Sequence, residues 1–455
     1  MALLKTDDRT GSGQRLYAIQ GLQRKPADRI RHMSDNMTSN KAYIHAREAA
    51  GGDAAGELLA TYVERFRWYR QGWRGIPNRM IANKLYGAAF RAENLPPLCL
   101  DLEMASICDL ACPFCYRQWI ATPDKVMDKD LAFRLIDQAA ELGIPSMKFN
   151  WRGEPLMNPR LPEIVAHAKK RGILDTMINT NATHLDDRMA RALIDAGLDH
   201  IIYSFDGGSE ASYNKMRPGR FAENSFVHVY DNIVNLAKVR TEKGSPFPFT
   251  RIQMILTEDT FTEQEQFFKL FSDHVDDVSV KAYTERGGKL ADLDEKTRGL
   301  LQAELSERGL TAETPYWRDA EDSLMVATGR LPCEQIYQRL MVAYDGRVSM
   351  CCYDWGNEHP IGFVDALAIE KGDSEFEAVH ERAQRGDNGY ELLRNIAMPR
   401  RFTEPEKRVQ TLAEIWHGDL VNDVRRFHVN GRLEDVAVCT RCPFKDTYSW
   451  TKINT

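Results

Sequence analysis

The stretch Ile107-Cys-Asp-Leu-Ala-Cys-Pro-Phe-Cys-Tyr-Arg117 places Cys108, Cys112 and Cys115 on one short segment with C-x3-C-x2-C spacing. It follows an apolar run at residues 98–104 that predicts a β-strand. Three thiolates on one loop can hold three irons of a [4Fe–4S] cluster and leave the fourth iron open to a small molecule. A structural zinc site would ordinarily supply four protein ligands. The spacing therefore favours an open iron–sulfur cluster.

The chain on both sides of this loop alternates between strand and helix patterns. Apolar runs at 98–104, 147–151, 175–179, 200–205, 251–256 and 278–282 alternate with helical patterns at 129–142, 162–171, 187–196 and 226–243. Such alternation predicts an α/β fold with a parallel sheet and helices outside it. Six units are too few for a closed eight-stranded barrel, so we expect a partial (β/α)6 TIM-like barrel. Its working residues should lie at the carboxyl ends of the strands.

Polar motifs follow three of these strands. Trp151-Arg-Gly-Glu-Pro155 ends the second strand, Asn179-Thr-Asn181 the third, and Ser204-Phe-Asp-Gly207 the fourth, with Arg217 shortly after. Each residue alone could cap a helix or form a turn. Their shared position at successive strand ends favours one binding site.

These motifs together resemble those of the radical S-adenosylmethionine (SAM) superfamily. Phe114 stands before the third cysteine, as an aromatic residue does there, and Gly153 and Glu154 match the family's G-G-E-P segment. Arg152 replaces the first glycine of that segment and is expected to add a charge to the pocket. The resemblance implies that a [4Fe–4S] cluster binds SAM and that a 5′-deoxyadenosyl radical abstracts a substrate hydrogen.

The resemblance also implies which residues do this. Cys108, Cys112 and Cys115 would ligate the cluster. Glu154 would hold the SAM amino group, the Asn179–Asn181 segment would meet the ribose, and Arg217 would pair with the carboxylate. The full set of predicted SAM contacts is Phe114, Gly153, Glu154, Asn179, Asn181, Ser204, Asp206 and Arg217.

A second group of cysteines lies near the end of the sequence. Cys333 and Cys351 frame a C-x12-G-x4-C pattern, and Cys439-Thr-Arg-Cys442 follows after a long gap. Taken alone, four such cysteines could hold zinc or a fully ligated cluster. With Ala413-Glu-Ile-Trp-His-Gly418, they resemble the SPASM or twitch extension of radical SAM enzymes. The resemblance implies one auxiliary [4Fe–4S] cluster on Cys333, Cys351, Cys439 and Cys442, with Cys352 as the alternative to Cys351.

The patterns divide the chain into four parts. We predict a helical N-terminal region at 1–97, the barrel at 98–289, a polar helical connector at 290–330 and a small Cys-rich, SPASM-like domain at 331–455. The net charge of -6 offers no electrostatic case for nucleic-acid binding. The sequence lacks an apolar run of about 18 residues and an N-terminal signal pattern, so we expect a cytoplasmic protein without a transmembrane segment. The resemblance implies a flavodoxin or ferredoxin as electron donor.

Two substrate classes compete. One is a sugar, aminocyclitol or nucleotide-sugar that is dehydrogenated, epimerised or dehydrated; the other is a peptide or protein, as in sulfatase maturation or modified-peptide biosynthesis. Residues 1–97 lack a clear β-hairpin pattern of the kind found in peptide-binding modules, which favours the carbohydrate-like substrate. Candidate catalytic residues are Cys352, as a hydrogen donor, and Lys281, Tyr283 and Glu285 near the sixth strand. A zinc-stabilised binding protein without radical chemistry is the remote alternative.

Overall fold

The computed structural model describes residues 3–5, 17–19, 53–245, 247–257, 259–282, 316–318, 324–393, 396–440, 442, 444 and 447–453. The strands are β1 (Leu3–Lys5), β2 (Tyr17–Ile19), β3 (Cys99–Leu102), β4 (Ser146–Lys148), β5 (Asp175–Thr180), β6 (His200–Ser204), β7 (Phe249–Leu256), β8 (Asp277–Ala282), β9 (Tyr316–Arg318), β10 (Leu324–Arg330), β11 (Arg339–Val342), β12 (Arg347–Ser349), β13 (Pro360–Phe363) and β14 (Tyr448–Ile453).

The α-helices are α1 (Asp53–Ala82), α2 (Gly87–Glu93), α3 (Lys129–Leu142), α4 (Leu161–Lys170), α5 (Asp187–Asp195), α6 (Glu210–Met216), α7 (Phe226–Glu242), α8 (Gln264–Phe271), α9 (Ala366–Glu370), α10 (Ser374–Arg385), α11 (Leu412–Trp416), α12 (Asp419–Val429) and α13 (Ala437–Thr440). Short 3-10 turns occur at Tyr116–Gln118, Pro155–Met157, Phe261–Glu263, Glu334–Tyr337, Glu391–Leu393 and Leu433–Asp435.

The core of the molecule is a nine-stranded sheet in the order β13-β12-β11-β3-β4-β5-β6-β7-β8. Strands β3 to β8 are parallel, stand in chain order and are joined by helices. This is the partial (β/α)6 barrel that the sequence predicts, and each of the six predicted strands is present. The carboxyl ends of all six strands therefore meet at one edge, where the motifs lie.

Helix α3 illustrates why these segments form helices. The Asp128 side chain caps the first turn by accepting hydrogen bonds from the backbone N–H groups of Asp130 and Leu131. The helix ends at Gly143, whose φ of 77° suits a residue without a side chain. Leu131 and Leu135 lie on the face that the helix buries against the sheet core.

The C-terminal region continues the barrel sheet. β11 lies parallel to β3 with Arg339 opposite Cys99, and Arg339 Nη1 donates to Asp101 Oδ2 at 2.8 Å. β12 and β13 extend this edge as antiparallel strands. The segment 339–363 of the C-terminal region therefore belongs to the barrel sheet. The sequence did not predict this pairing, because no local pattern indicates the partner of a four-residue strand.

Helix α1 packs against the amino ends of the strands. Tyr69 OH donates to Ser146 Oγ at 2.9 Å, and Ser146 is the first residue of β4. Phe66, Tyr69 and Trp73 are buried in a cluster with residues that begin or precede strands, among them Cys99, Leu174 and Phe249. The helix therefore closes the end of the barrel opposite the motifs.

Outside the barrel the structure contains strands that the helical patterns did not include. Residues 1–97 contain α1 and α2 and also the antiparallel pair of β1 and β2, with Leu3 opposite Ile19. The described part of the predicted helical connector consists of strands β9 and β10, and β10 pairs with β14. Strand β10 also pairs with the neighbouring β9, but its pairing with β14 could not be predicted locally because that strand is more than a hundred residues away. Among the described residues, we find no helix long and apolar enough to cross a bilayer.

We expect Phe66→Ala to lower the free energy of unfolding by about 3–5 kcal/mol, because the fully buried ring leaves a cavity between α1 and the barrel. Trp68→Ala on the same helix is the matched control. Trp68 is 58% exposed, so its loss should change stability by less than about 0.5 kcal/mol. Denaturant titration measures both. Equal losses would contradict the assignment of the buried face.

Candidate active site

The three N-terminal cysteines lie on a loop that a second segment holds in place. Cys108, Cys112 and Cys115 are free thiols, and Cys115 N–H donates to the Cys112 carbonyl at 3.0 Å. Ala111 N–H donates to the Pro218 carbonyl at 2.8 Å, and Arg220 N–H donates to the Asp109 carbonyl at 2.7 Å. The segment after Arg217 therefore pairs with the cysteine loop.

Of the three thiols on this loop, Cys112 is buried and Cys108 and Cys115 are half-buried. Burial raises the pKa of Cys112 to about 12, although the Arg217 charge acts in the opposite direction. Burial also raises the pKa of Cys108 well above its usual value. Within the described residues, no three His, Cys, Asp or Glu side chains are arranged as they would be around a single metal ion. The donor set itself, three sulfurs on one loop, is that of an iron–sulfur cluster.

Gly153 lies directly against the cysteine loop. A Cβ atom at this position would stand 2.3 Å from the carbonyl oxygen of Ile107 and 2.4 Å from that of Ala105. Glu154 N–H donates to the same Ile107 carbonyl at 2.9 Å. Since backbone atoms occupy the space, only glycine lets the segment after β4 approach the cysteine loop this closely.

Glu154 joins the ends of two strands. Its buried carboxylate accepts hydrogen bonds from Thr180 Oγ1 at 2.6 Å, Asn181 N–H at 2.7 Å and Leu156 N–H at 3.0 Å. Burial raises the pKa of Glu154 to about 8, the Asp109 charge acts in the same direction, and these hydrogen bonds oppose both. A cationic group bound beside this carboxylate would stabilise its ionised form.

Arg217 and Asp206 form a buried pair. Arg217 Nε and Nη2 both donate to Asp206 Oδ2, at 2.8 and 2.5 Å, and the Ile255 N–H donates to Asp206 Oδ1 at 2.6 Å. The guanidinium of Arg217 lies 5.5 Å from the centre of the Phe114 ring. The predicted residues Phe114, Asp206 and Arg217 are thus brought together, with Asp206 holding Arg217 over the cysteine loop.

The other predicted SAM contacts divide into two kinds. Asn181 shapes its own loop, because Nδ2 donates to Asp109 Oδ1 at 2.9 Å and Oδ1 accepts from Thr183. Asn179 Oδ1 is buried without a hydrogen-bond partner, and Ser204 ends β6 nearby in the sheet order. A buried unpaired oxygen is a position where a ligand hydroxyl could donate.

Arg152 does not add a free charge to the pocket, contrary to the prediction. Its Nε and Nη2 donate to the two carboxylate oxygens of Glu103 at 2.6 and 2.7 Å, and Nη1 donates to the Trp355 carbonyl at 3.2 Å. Both partners are buried, and the guanidinium stacks on Trp151 at 4.6 Å. The bidentate pair neutralises the charge of Arg152. The hydrogen bond to the Trp355 carbonyl ties the segment after β4 to the C-terminal region.

A further carboxylate, which sequence reasoning missed, anchors the cysteine loop. Asp124 accepts hydrogen bonds from Arg117, Arg220 and Tyr390. Arg220 Nε also donates to the Gly389 carbonyl at 2.7 Å. Burial alone would raise the pKa of Asp124, but the two arginines lower it. Arg117 lies two residues after the third cysteine, which was the available signal, but its partners are distant in sequence.

The four predicted C-terminal ligands line one small cavity. Cys333, Cys351, Cys439 and Cys442 all contribute to its wall, together with residues such as Arg330 and His428. Arg330 Nη1 donates to the Cys439 carbonyl at 2.6 Å, and its Nε is buried without a hydrogen-bond partner. Four sulfur donors beside a guanidinium fit a negatively charged cluster.

Cys351 and Cys352 both lie close to the other C-terminal cysteines but make different contacts. Cys351 lines the cavity, whereas Cys352 Sγ donates to Gln335 Oε1 at 3.0 Å and packs beside Trp151. Trp151 Nε1 in turn donates to the Cys352 carbonyl at 3.2 Å. Cys352 therefore lies between Trp151, in the motif after β4, and the cavity. Among the other candidate catalytic residues, Lys281 is in β8 but its side chain lies outside the described set, as do Tyr283 and Glu285 entirely.

We expect Gly153→Ala to lower the free energy of unfolding by about 1–3 kcal/mol, because its methyl group forces the cysteine loop to move. The iron content of the anaerobic protein should fall with it. Gly75→Ala in α1 is the control, since a Cβ there meets nothing within 4 Å. Denaturant titration and iron counting measure the two effects. Unchanged stability and iron content in Gly153→Ala would refute the close approach.

Comparisons with known proteins agree with this geometry. Residues 102–267 match the family model described as the Radical SAM superfamily. The cofactor-modifying protein of the tungsten-containing aldehyde ferredoxin oxidoreductase of Pyrococcus furiosus is 30% identical over 167 residues, which are 36% of this chain and 45% of that protein. The PqqA peptide cyclase of Granulibacter bethesdensis is 36% identical over 111 residues, 24% of this chain and 29% of that protein. The matches thus span less than half the length of these curated relatives.

Solved structures also align with the chain. SuiB of Streptococcus suis bound to precursor peptide SuiA aligns with 80% of this chain and 73% of its own, at 16% identity and a TM-score of 0.42. BtrN in complex with AdoMet and 2-DOIA aligns with 76% and 93%, at 15% identity and 0.40. These scores carry no argument about function. The family model covers the partial barrel: residues 102–267 form a domain like those of the radical SAM superfamily, for which a [4Fe–4S] cluster and SAM are the cofactors.

Proposed function

We propose that this protein is a radical SAM enzyme that modifies a peptide. The observation that carries the radical SAM activity is the docking of Gly153 and Glu154 onto the cysteine loop. The peptide is supported by the name of the PqqA peptide cyclase relatives, which are 36% and 35% identical over 111 and 123 residues. The carbohydrate-like alternative depends on the lack of a clear β-hairpin pattern in residues 1–97, and the β1–β2 pair weakens that support.

The cluster is assigned to Cys108, Cys112 and Cys115. Together with SAM, the bound cluster supplies the one-electron chemistry by which this family generates a hydrogen-abstracting radical. The surrounding chain excludes water, since Cys112, Glu154 and Arg217 are all buried. A dry site protects a radical from side reactions.

Three polar groups are positioned to orient SAM. Glu154 would accept a hydrogen bond from the SAM amino group. The positive charge of that group would offset the cost of burying the ionised carboxylate. Arg217 would pair with the SAM carboxylate. Asp206 occupies its Nε and one Nη2 hydrogen, and a guanidinium has five N–H donors, so donors remain. The unpartnered Asn179 Oδ1 would accept from a ribose hydroxyl.

The auxiliary cluster is assigned to Cys333, Cys351, Cys439 and Cys442, the four thiols of the C-terminal cavity. Cys352, between this cavity and Trp151, stays the proposed hydrogen donor. Lys281, Tyr283 and Glu285 remain predicted bases, and a flavodoxin or ferredoxin the predicted electron donor. Zinc in the C-terminal cavity remains the alternative that metal analysis separates.

Iron counting distinguishes the two adjacent cysteines. Anaerobically reconstituted wild-type protein should contain about eight irons per chain, in two four-iron clusters. Cys351→Ala should lower this to about four because it removes a ligand that lines the cavity, whereas Cys352→Ala should retain about eight. The reverse result would assign the cluster to Cys352, and about four irons with one zinc in the wild type would remove the auxiliary cluster.

A second experiment tests the substrate class. The enzyme is incubated without oxygen with SAM, dithionite and either synthetic peptides encoded by short reading frames beside the gene or a set of nucleotide sugars. We expect a peptide to accelerate 5′-deoxyadenosine formation and to change its own mass, as measured by mass spectrometry. Cys112→Ala should abolish both signals. Turnover of a nucleotide sugar and of none of the peptides would restore the carbohydrate-like substrate.

A further inference from the structure

His428 lies between two of the cysteines that line the C-terminal cavity. Its ring is 1% exposed and is itself part of the cavity wall. The backbone N–H of Cys333 donates to His428 Nδ1 at 3.0 Å, and His428 Nε2 lies 3.4 Å from Cys439 Sγ. The imidazole thus contacts both Cys333 and Cys439.

The first contact determines the direction of the second. Because Nδ1 accepts a hydrogen bond from a backbone amide, it carries no hydrogen of its own. A neutral imidazole has one N–H group, so the hydrogen is on Nε2. Nε2–H therefore points at the Cys439 sulfur and donates to it.

The helix that carries His428 is held rigidly. Arg425, one turn earlier on α12, is fully buried and donates from Nη1 to the Trp416 carbonyl at 2.9 Å and from Nε to the Ile336 carbonyl at 3.2 Å. Its guanidinium also stacks on Phe90 at 3.7 Å. These contacts leave the imidazole little freedom to turn away from the sulfur.

We propose that His428 is a positioning residue that donates an Nε2–H···Sγ hydrogen bond to Cys439 and thereby raises the reduction potential of the auxiliary cluster. The inference rests on the proposed assignment of that cluster. One-electron reduction places additional negative charge on the iron and sulfur atoms. A donor aimed at a ligand sulfur stabilises the reduced state more than the oxidised state.

This role would set what the auxiliary cluster can do. A cluster with a higher potential accepts an electron more readily. The hydrogen bond would therefore make the cavity a better acceptor for an electron released during peptide modification. Removing the donor should weaken this property without removing a cluster ligand.

The test uses the full chain with the substitutions Cys108→Ala, Cys112→Ala and Cys115→Ala, so that the auxiliary cluster alone contributes iron. Dye-mediated redox titration followed by electron paramagnetic resonance compares this parent with His428→Phe, His428→Gln and the control His380→Phe. His380 is on α10 and does not line the cavity.

We expect His428→Phe to lower the equilibrium constant for one-electron reduction about tenfold, a shift of about 59 mV to lower potential. His428→Gln should restore most of the shift, because its amide can accept from Cys333 N–H and donate to the Cys439 sulfur. His380→Phe should leave the potential unchanged.

The outcomes separate the two proposals. About four irons per chain in every variant, with an unchanged potential in His428→Phe, would overturn the role of His428 and leave the auxiliary cluster intact. A parent without iron would overturn both. If His428→Phe loses iron, pulsed resonance on the reduced parent with ¹⁵N-labelled histidine decides: coupling to the imidazole nitrogen supports the hydrogen bond, and its absence refutes it.

Discussion

The contact between Gly153 and the carbonyl groups of Ala105 and Ile107 is the constraint on which the site depends. Because no side chain intervenes, the segment after β4 packs directly on the cysteine loop, and the Glu154 N–H donates a hydrogen bond to the Ile107 carbonyl. The Glu154 carboxylate in turn accepts a hydrogen bond from the N–H of Asn181, directly after β5. One close backbone approach therefore aligns the loop and two strand ends.

Buried charges then connect this junction to the rest of the chain. Glu103 and Arg152 form a bidentate pair, and Arg152 reaches the Trp355 carbonyl in the C-terminal region. Asp124 in the same way links Arg117, beside the cysteines, to Tyr390. Such pairs tolerate burial only when their hydrogen bonds are satisfied, and each of these carboxylates has several donors. They place both groups of cysteines on one framework.

The N-terminal region bears on the proposed substrate class. The prediction of a carbohydrate-like substrate depends on the lack of a β-hairpin pattern in residues 1–97. The structure adds the pairing of Leu3–Lys5 with Tyr17–Ile19 to this region, and the peptide substrate is the proposal that the experiment above tests. The position of Cys352 between Trp151 and the C-terminal cavity gives the two cysteine groups a common neighbour.

Structural features that depend only on neighbouring residues along the chain could be predicted from the sequence. The spacing of Cys108, Cys112 and Cys115, the order of the six strands and the cap and stop of α3 are all local, because backbone periodicity and turn chemistry act over a few residues. The polar motifs at strand ends were predictable for the same reason, since parallel strands place their carboxyl ends at one edge.

Which distant groups meet depends on the tertiary structure. Cys351, which the C-x12-G-x4-C spacing favours over Cys352, lies in the wall of the same cavity as Cys333, Cys439 and Cys442. Arg152 finds Glu103, and His428 finds Cys439, through the packing of separate elements. A side chain's partner across a long stretch of chain depends on how the whole molecule buries its surfaces, and no local pattern contains that information.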